Sequence, residues 1–118
     1  MSANIYYGDI KEDANANINY RRVIHTDIMQ TVLMSLEPGE TIPTEIHHDV
    51  EQILYVVKGY GMVTINNIEY PIVPDMFITV PPNTRHYVVN TGDGPLKLVS
   101  IYSSAEHPRR FLQINPGR

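Results

Sequence analysis

The chain has 118 residues, with 9 basic and 13 acidic side chains and a formal net charge of -4. A chain of this length is expected to form one domain around a single core. No apolar run approaches the ~18 residues that cross a membrane, and the basic residues form no cluster beyond the pairs Arg21-Arg22 and Arg109-Arg110, so we expect neither a membrane span nor a nucleic-acid partner. The chain has no cysteine, which excludes disulfides and thiolate ligands. No secretory signal is visible in the first residues, so the expected location is cytoplasmic.

Short apolar bursts rich in β-branched and aromatic residues indicate strands. An irregular lead-in over residues 8–22 precedes them, and residues 115–118 are expected to form a frayed tail. The predicted strands, in chain order, are 31–36, 53–57, 62–65, 70–73, 76–80, 86–89 and 96–102. Their starts recur every roughly 8–12 residues, as in an antiparallel sandwich or barrel. No helical stripe is longer than about two turns, so the chain is predicted to be all-β.

Two adjacent asparagines, Asn66 and Asn67, separate two of the predicted strands. Asparagine tolerates positive φ better than most residues, and a two-residue hairpin turn requires it. We therefore predict a tight β-hairpin at this position.

Ligand-type side chains share a face in two extended stretches. If the chain is extended up to His47, alternation puts Glu45 on the same face as His47 and puts His48 on the opposite face. Gln52 follows on the next strand, and His86 opens an otherwise apolar strand. One face of each strand must point into the barrel, so we expect such polar groups to meet there.

These stretches resemble the two motifs of the cupin superfamily. The first family motif is Gly, five residues, His-x-His, three or four residues, Glu, six residues, Gly; the second is Gly, five residues, Pro-x-Gly, two residues, His, three residues, Asn. In residues 39–59 the matched positions are Gly39, Glu45, His47, Gln52 and Gly59. In residues 75–90 they are Asp75, Pro81, Asn83, His86 and Asn90. The resemblance implies a single jelly-roll barrel, or double-stranded β-helix, over residues 23–114, with 1–22 as an irregular lead-in or edge strand.

The matched positions differ from the family pattern at two ligands, because Glu45 replaces a histidine and Gln52 replaces the glutamate. The resemblance thus implies a divalent metal ion, zinc, manganese, iron or nickel, held by Glu45, His47, Gln52 and His86. Imidazole and carboxylate suit these metals, and a neutral amide oxygen is a weaker ligand than a carboxylate. Phosphomannose isomerases, which are cupins, bind zinc through the same residue types, with Gln and Glu at exchanged motif positions.

Two turn glycines of the family are replaced here by Asp75 and Asn83. Aspartate and asparagine are the non-glycine residues that best tolerate a left-handed backbone. We therefore expect both turns to keep the family conformation.

Three functions remain open at this point. The first is an isomerase-like enzyme whose metal acts as a Lewis acid on a small sugar-like, carboxylic or carbonyl substrate inside the barrel. The second is an iron-dependent oxygenase, since two histidines and one carboxylate also suit iron. The third is a non-catalytic binding or sensor module. No catalytic residue is identified, and the dry motif faces, which offer Leu54, Val56 and Val88, favour the third function.

The remaining histidines, two arginine pairs and the oligomeric state can also be considered from the sequence. The role of His107 is left open, with closure over the barrel mouth as one candidate, and His25 is expected to lie on the surface. The pairs Arg21-Arg22 and Arg109-Arg110 are expected to be solvated, although a phosphate-bearing substrate would need such a group at the mouth. A short antiparallel barrel has edge strands to cover, so we expect a homodimer with residues 20–24 at its interface.

Overall fold

Two antiparallel sheets make up the fold in the computed structural model, which describes residues 5–107 and 111–116. The elements, in chain order, are α1 (Ile10–Ala16), β1 (Arg21–Thr26), β2 (Met29–Leu36), β3 (Thr41–Glu45), β4 (Glu51–Lys58), β5 (Gly61–Ile65), β6 (Ile68–Ile72), β7 (Phe77–Val80), β8 (His86–Asn90), β9 (Leu96–Ser103) and β10 (Leu112–Gln113). Over these described ranges, no helix has the length and apolar character needed to cross a membrane.

The sheet order shows how the chain is wound. The first sheet has the order β10-β1-β2-β9-β4-β7, and the second has the order β3-β8-β5-β6. The consecutive strands β2, β3 and β4 alternate between the sheets, so the chain crosses from one sheet to the other as it does in a jelly roll. The prediction of an all-β jelly-roll barrel is confirmed.

The core lies between the two sheets, because alternate residues of each strand point inward. Val32 and Leu54 from the first sheet pack in one cluster with Val63 and Val88 from the second. A polar residue at an inward position of these strands is therefore enclosed by apolar side chains, and its hydrogen bonds must be made inside the protein.

Residues 8–22 differ from the irregular lead-in expected from sequence. They contain α1, which begins after Asp9, whose side chain accepts a hydrogen bond from the Glu12 N–H over 3.0 Å. Ala14 is the only buried residue of this helix and packs on the outer face of the first sheet against Leu33 and Val99. A helix with so narrow an apolar contact has little hydrophobic periodicity, which explains why the sequence did not reveal it.

The lead-in strand β1 also differs from the expectation of an exposed edge. It pairs with β2 on one side and with β10 on the other. The open edge of the first sheet opposite β10 belongs to β7, and its first residue, Phe77, is 61% exposed.

The predicted turns have the expected left-handed backbone. Asn66 and Asn67 have φ values of 49° and 68°, and they join β5 to β6 as a two-residue hairpin. Asp75 has φ 73° and Asn83 has φ 61°, so both occupy the conformation in which the family has glycine. The Asp75 carboxylate also accepts a hydrogen bond from the Tyr55 hydroxyl over 2.6 Å.

Candidate metal centre

Three of the four predicted ligands meet where β3 and β8 pair. Glu45 ends β3 and is the register partner of His86, the first residue of β8, and His47 lies two residues beyond Glu45. Ligand atoms of these three residues all lie within 4.8 Å of one another. Two atoms that are each about 2.1 Å from one ion can be at most roughly 4.2 Å apart, so only a small closure brings all three to one ion.

His47 is held from the side that faces away from this group. Its side chain is 7% exposed, and its Nδ1 is hydrogen-bonded to Oε2 of Glu106. Its Nε2 is 3.5 Å from Oε1 of Glu45 and makes no hydrogen bond. The carboxylate of Glu45 is the main reason that the pKa of His47 is raised; burial opposes this effect and Glu106 reinforces it.

His86 is 1% exposed, and its Nδ1–H donates to the backbone carbonyl of Thr84 over 3.1 Å. Burial lowers the pKa of this imidazole, which favours the neutral ring. With its proton on Nδ1, the ring has a free lone pair on Nε2, and this buried atom has no partner. The arrangement is the one in which a histidine binds a metal ion.

Gln52 is 2% exposed and lies on the inward face of β4. Its amide nitrogen donates to Oγ of Ser100 over 2.8 Å, and its buried Oε1 has no hydrogen-bond partner. An unpaired buried carbonyl oxygen costs about 1–3 kcal/mol, so a cation would satisfy it. The role of Gln52 as a fourth ligand remains a prediction.

The chemistry of this donor set fits a divalent transition metal. It combines two neutral-capable imidazoles with one carboxylate, and the two Nε2 atoms and the Gln52 oxygen are buried without partners. Burial raises the pKa of Glu45, but the nearby imidazole of His47, together with the charge of Arg21, lowers it by more, so the net pKa lies below its ordinary value and the carboxylate is ionised.

Glu106, the partner of His47, was missed by the sequence analysis. It follows β9 in a segment attached to Gln30, whose Oε1 accepts hydrogen bonds from the backbone N–H groups of Glu106 and His107 over 3.0 and 2.8 Å. The Gln30 amide nitrogen donates in turn to the carbonyl of His107 over 2.7 Å. His47 and Glu106 are separated by 59 residues, so spacing could not reveal the pair. The available signal was a polar Gln30 in an otherwise apolar inward row of β2.

The ring of His107 is linked to the three-residue group through contacts between aromatic rings. It stacks on the ring of Phe111 with the ring centres 5.6 Å apart, and it makes an edge contact with Tyr102 at a centre-to-centre distance of 5.4 Å. The Tyr102 ring in turn makes an edge contact with the His47 ring, with the centres 5.6 Å apart. Burial lowers the pKa of His107 to about 4, so the ring is neutral at pH 7.

Two other histidines considered in the sequence, His48 and His25, lie outside the three-residue group. His48 is exposed, and its Nδ1 is 3.0 Å from Oδ1 of Asn83. His25 is half-buried rather than fully on the surface, and its Nδ1 is buried without a partner.

The expectation that Arg21-Arg22 are solvated is wrong for Arg21. Arg22 is exposed, but Arg21 is 8% exposed and points into the barrel interior beside Met34, its register partner on β2. The pair Arg109-Arg110 lies outside the described residues.

Comparison with known proteins shows which protein family this barrel belongs to. Residues 32–102, more than half of the chain, match the family model described as a cupin domain. The chain therefore belongs to the cupin family, and the resemblance found in the sequence is confirmed.

Two relatives resemble most of the chain. The uncharacterized protein YrkC of Bacillus subtilis is 38% identical over 107 residues, which cover 85% of this chain. The chain spans 58% of the length of that relative. The crystal structure of BH2720 from Bacillus halodurans has a TM-score of 0.90 at 34% identity, covering 92% of this chain and 88% of that one.

A third similar structure bears the name of an enzyme class. The putative sugar phosphate isomerase of Acidithiobacillus ferrooxidans is 30% identical, with a TM-score of 0.61 over 67% of this chain and 52% of its own.

Proposed function

We propose that this cupin holds one divalent metal ion through Glu45, His47 and His86, with the amide oxygen of Gln52 as a fourth ligand. The substrate would be a small sugar-like, carboxylic or carbonyl compound that undergoes an isomerase-like reaction. The observation that supports the proposal is the meeting of Glu45, His47 and His86 within 4.8 Å, with both histidine Nε2 atoms unpartnered. When bound, the metal would supply Lewis-acid polarisation of a substrate carbonyl or hydroxyl.

The chain's own residues prepare the two rings for this task. Glu106 accepts from Nδ1 of His47, and the Thr84 carbonyl accepts from Nδ1 of His86. Such contacts fix the tautomer with the lone pair on Nε2 and prevent the ring from rotating. Glu106 also adds a second carboxylate near the centre, which the motif faces alone do not offer, and this favours an enzyme over an inert binding module.

The comparison with known proteins supports the substrate class. The Acidithiobacillus ferrooxidans structure bears the name of a sugar phosphate isomerase, and its similarity covers 67% of this chain. That name belongs to the neighbour, and a sugar-like substrate for this chain is a proposal that follows from the likeness.

An iron-dependent oxygenase is the second candidate. Two histidines and one carboxylate, the donor set of Glu45, His47 and His86, are also the ligands of non-haem iron oxygenases. The identity of the bound metal separates the two candidates.

The test is elemental analysis of freshly purified protein, followed by calorimetry of the stripped protein with zinc, manganese and ferrous ions. We expect about one equivalent of metal per chain. Zinc would support Lewis-acid chemistry, and iron would support the oxygenase. A protein that contains no metal and takes up none would contradict both and leave a non-catalytic binding module.

Gln52 can be tested by a charge change. Gln52→Glu adds a second anionic ligand of nearly the same size, so we expect tighter divalent-metal binding, by roughly tenfold or more. Calorimetry measures the affinity, and Ser100→Ala, which removes the contact at the Gln52 amide nitrogen without adding a charge, is the matched control. Unchanged affinity in Gln52→Glu would remove Gln52 from the set of ligands.

We also propose that the protein is a homodimer. An open sheet edge is a template for pairing with another chain, and β7 presents such an edge with the exposed Phe77 beside it. Light scattering at micromolar concentration should give twice the chain mass of 13.4 kDa. A monomer mass would contradict the proposal.

A further inference from the structure

Arg21 places a positive charge inside the barrel. It is 8% exposed, and its register partner on β2 is Met34, a fully buried core residue. Paired residues of antiparallel strands point to the same face, so the Arg21 side chain is directed inward. Neighbouring Arg22 is exposed and provides the natural comparison.

The groups that contact Arg21 are neutral. Its Nη1 donates to Oε1 of Gln113 over 2.6 Å, and its guanidinium carbon lies 5.2 Å from the centre of the Tyr20 ring. Across residues 5–107 and 111–116, the ion pairs found are those of His47 with Glu45 and with Glu106, and none involves Arg21. Its Nε is buried and has no hydrogen-bond partner.

A buried cation with no carboxylate in ion-pair contact is unfavourable, and arginine cannot remove the cost by losing its proton. A guanidinium is also the side chain whose planar N–H groups match the oxygens of a carboxylate or phosphate. Because the described residues supply no such oxygens, an anion from outside the chain would satisfy the Nε–H.

The position of Arg21 connects it with the candidate metal centre. Val23 lies two residues from Arg21 on the same face of β1, and its N–H donates to the carbonyl of Phe111 over 2.9 Å. The Phe111 ring stacks on His107, so Arg21 borders the row of ring contacts that runs from His107 to His47. His107 also has a buried nitrogen, Nε2, without a partner.

We propose that Arg21 anchors the substrate by an oxyanion group, a carboxylate or a phosphate, while another oxygen of the same molecule reaches the centre formed by Glu45, His47 and His86. This inference rests on the proposed function and narrows its substrate class to small organic anions. Gln113 acts as the positioning residue, because its Oε1 fixes the orientation of the guanidinium.

The first experiment observes the unmodified side chain. In ¹H–¹⁵N spectra of the labelled protein, the Arg21 Nε–H resonance is assigned by its loss in Arg21→Lys, and that of Arg22 by its loss in Arg22→Lys. Sodium phosphate and sodium malonate are titrated separately at constant ionic strength. We expect the Arg21 resonance to shift saturably with at least one of them, which identifies the preferred oxyanion, and the Arg22 resonance to stay unchanged. No shift at Arg21, or equal shifts at both arginines, would overturn the inference.

The second experiment measures linkage to stability, since a ligand that binds only the folded state raises the melting temperature. The preferred anion should raise the melting temperature of the wild type and of Arg22→Gln, and the apparent affinity in Arg21→Gln should fall by at least about tenfold. An equal rise in Arg21→Gln would contradict the proposal.

Metal stoichiometry separates this inference from the proposed function. Arg21→Gln is expected to bind metal as the wild type does, because Arg21 is not a ligand. A protein that binds metal but shows no anion effect at Arg21 would overturn the anchor alone. A protein that binds the anion at Arg21 but takes up no metal would overturn the proposed function and leave the anion site standing.

Discussion

His47→Ala and His86→Ala should each abolish stoichiometric metal binding, whereas His48→Ala and His25→Ala should leave it intact. Each of the first two side chains brings a ring nitrogen to within 4.8 Å of a Glu45 ligand atom. His48 is exposed and turned toward Asn83, and His25 lies on a different strand outside the group. Removing one of three strong ligands typically costs orders of magnitude in affinity, so calorimetry with zinc will show binding or none.

The controls also test the strand register. Side chains alternate along an extended chain, so a shift of one residue would exchange His47 for His48. Loss of binding in His48→Ala, with binding kept in His47→Ala, would therefore contradict the arrangement at the end of β3. Melting curves of the stripped variants should show that all four remain folded.

Gly59→Ala should be severely destabilising, by roughly 3 kcal/mol or more. Gly59 has φ 92°, a conformation that favours glycine, and a Cβ built on it would lie 2.5 Å from the carbonyl oxygen of Pro95 and 2.9 Å from Cα of Leu96. Both obstacles are backbone atoms, so a side chain cannot rotate away to relieve them. Urea unfolding should show a lower midpoint with an unchanged slope.

Alanine substitutions at two other glycines distinguish the cost of the steric clash from the cost of the positive φ. Gly39 has φ 82° but has no atom within 4 Å of its added Cβ, so Gly39→Ala should cost only about 1–2 kcal/mol. Gly94 has open space and no positive φ, so Gly94→Ala should be close to neutral. If Gly59→Ala and Gly39→Ala lowered the free energy of unfolding equally, the clash with residues 95–96 would contribute nothing to the destabilisation.

Local chemistry made most of the barrel predictable. Each predicted strand lies within or overlaps a strand of the structure, because apolar alternation and turn residues act over a few neighbours. Asp75 and Asn83 have the left-handed backbone expected of substituted glycines. The short β10 has two residues, too few for a recognisable pattern, and α1 buries only Ala14.

The centre was predictable only where its residues follow strand alternation. Glu45, His47 and His86 lie where the two motifs place them, and they meet because β3 pairs with β8. Glu106 reaches His47 across 59 residues, and Arg21 is inward because β1 pairs with β2 in one particular register. Such contacts depend on how distant segments pack, which periodicity does not encode.

The hydrogen bonds of Gln30 make the motion of the segment at Glu106 and His107 measurable by hydrogen exchange. The backbone amides of Glu106 and His107 donate to its side chain rather than to a neighbouring strand. Their exchange lifetimes therefore report how often this segment leaves the interior, separately from the opening of the sheets. Each such departure would also release the carboxylate that orients His47, so the opening of this segment and the loosening of that imidazole would share one rate.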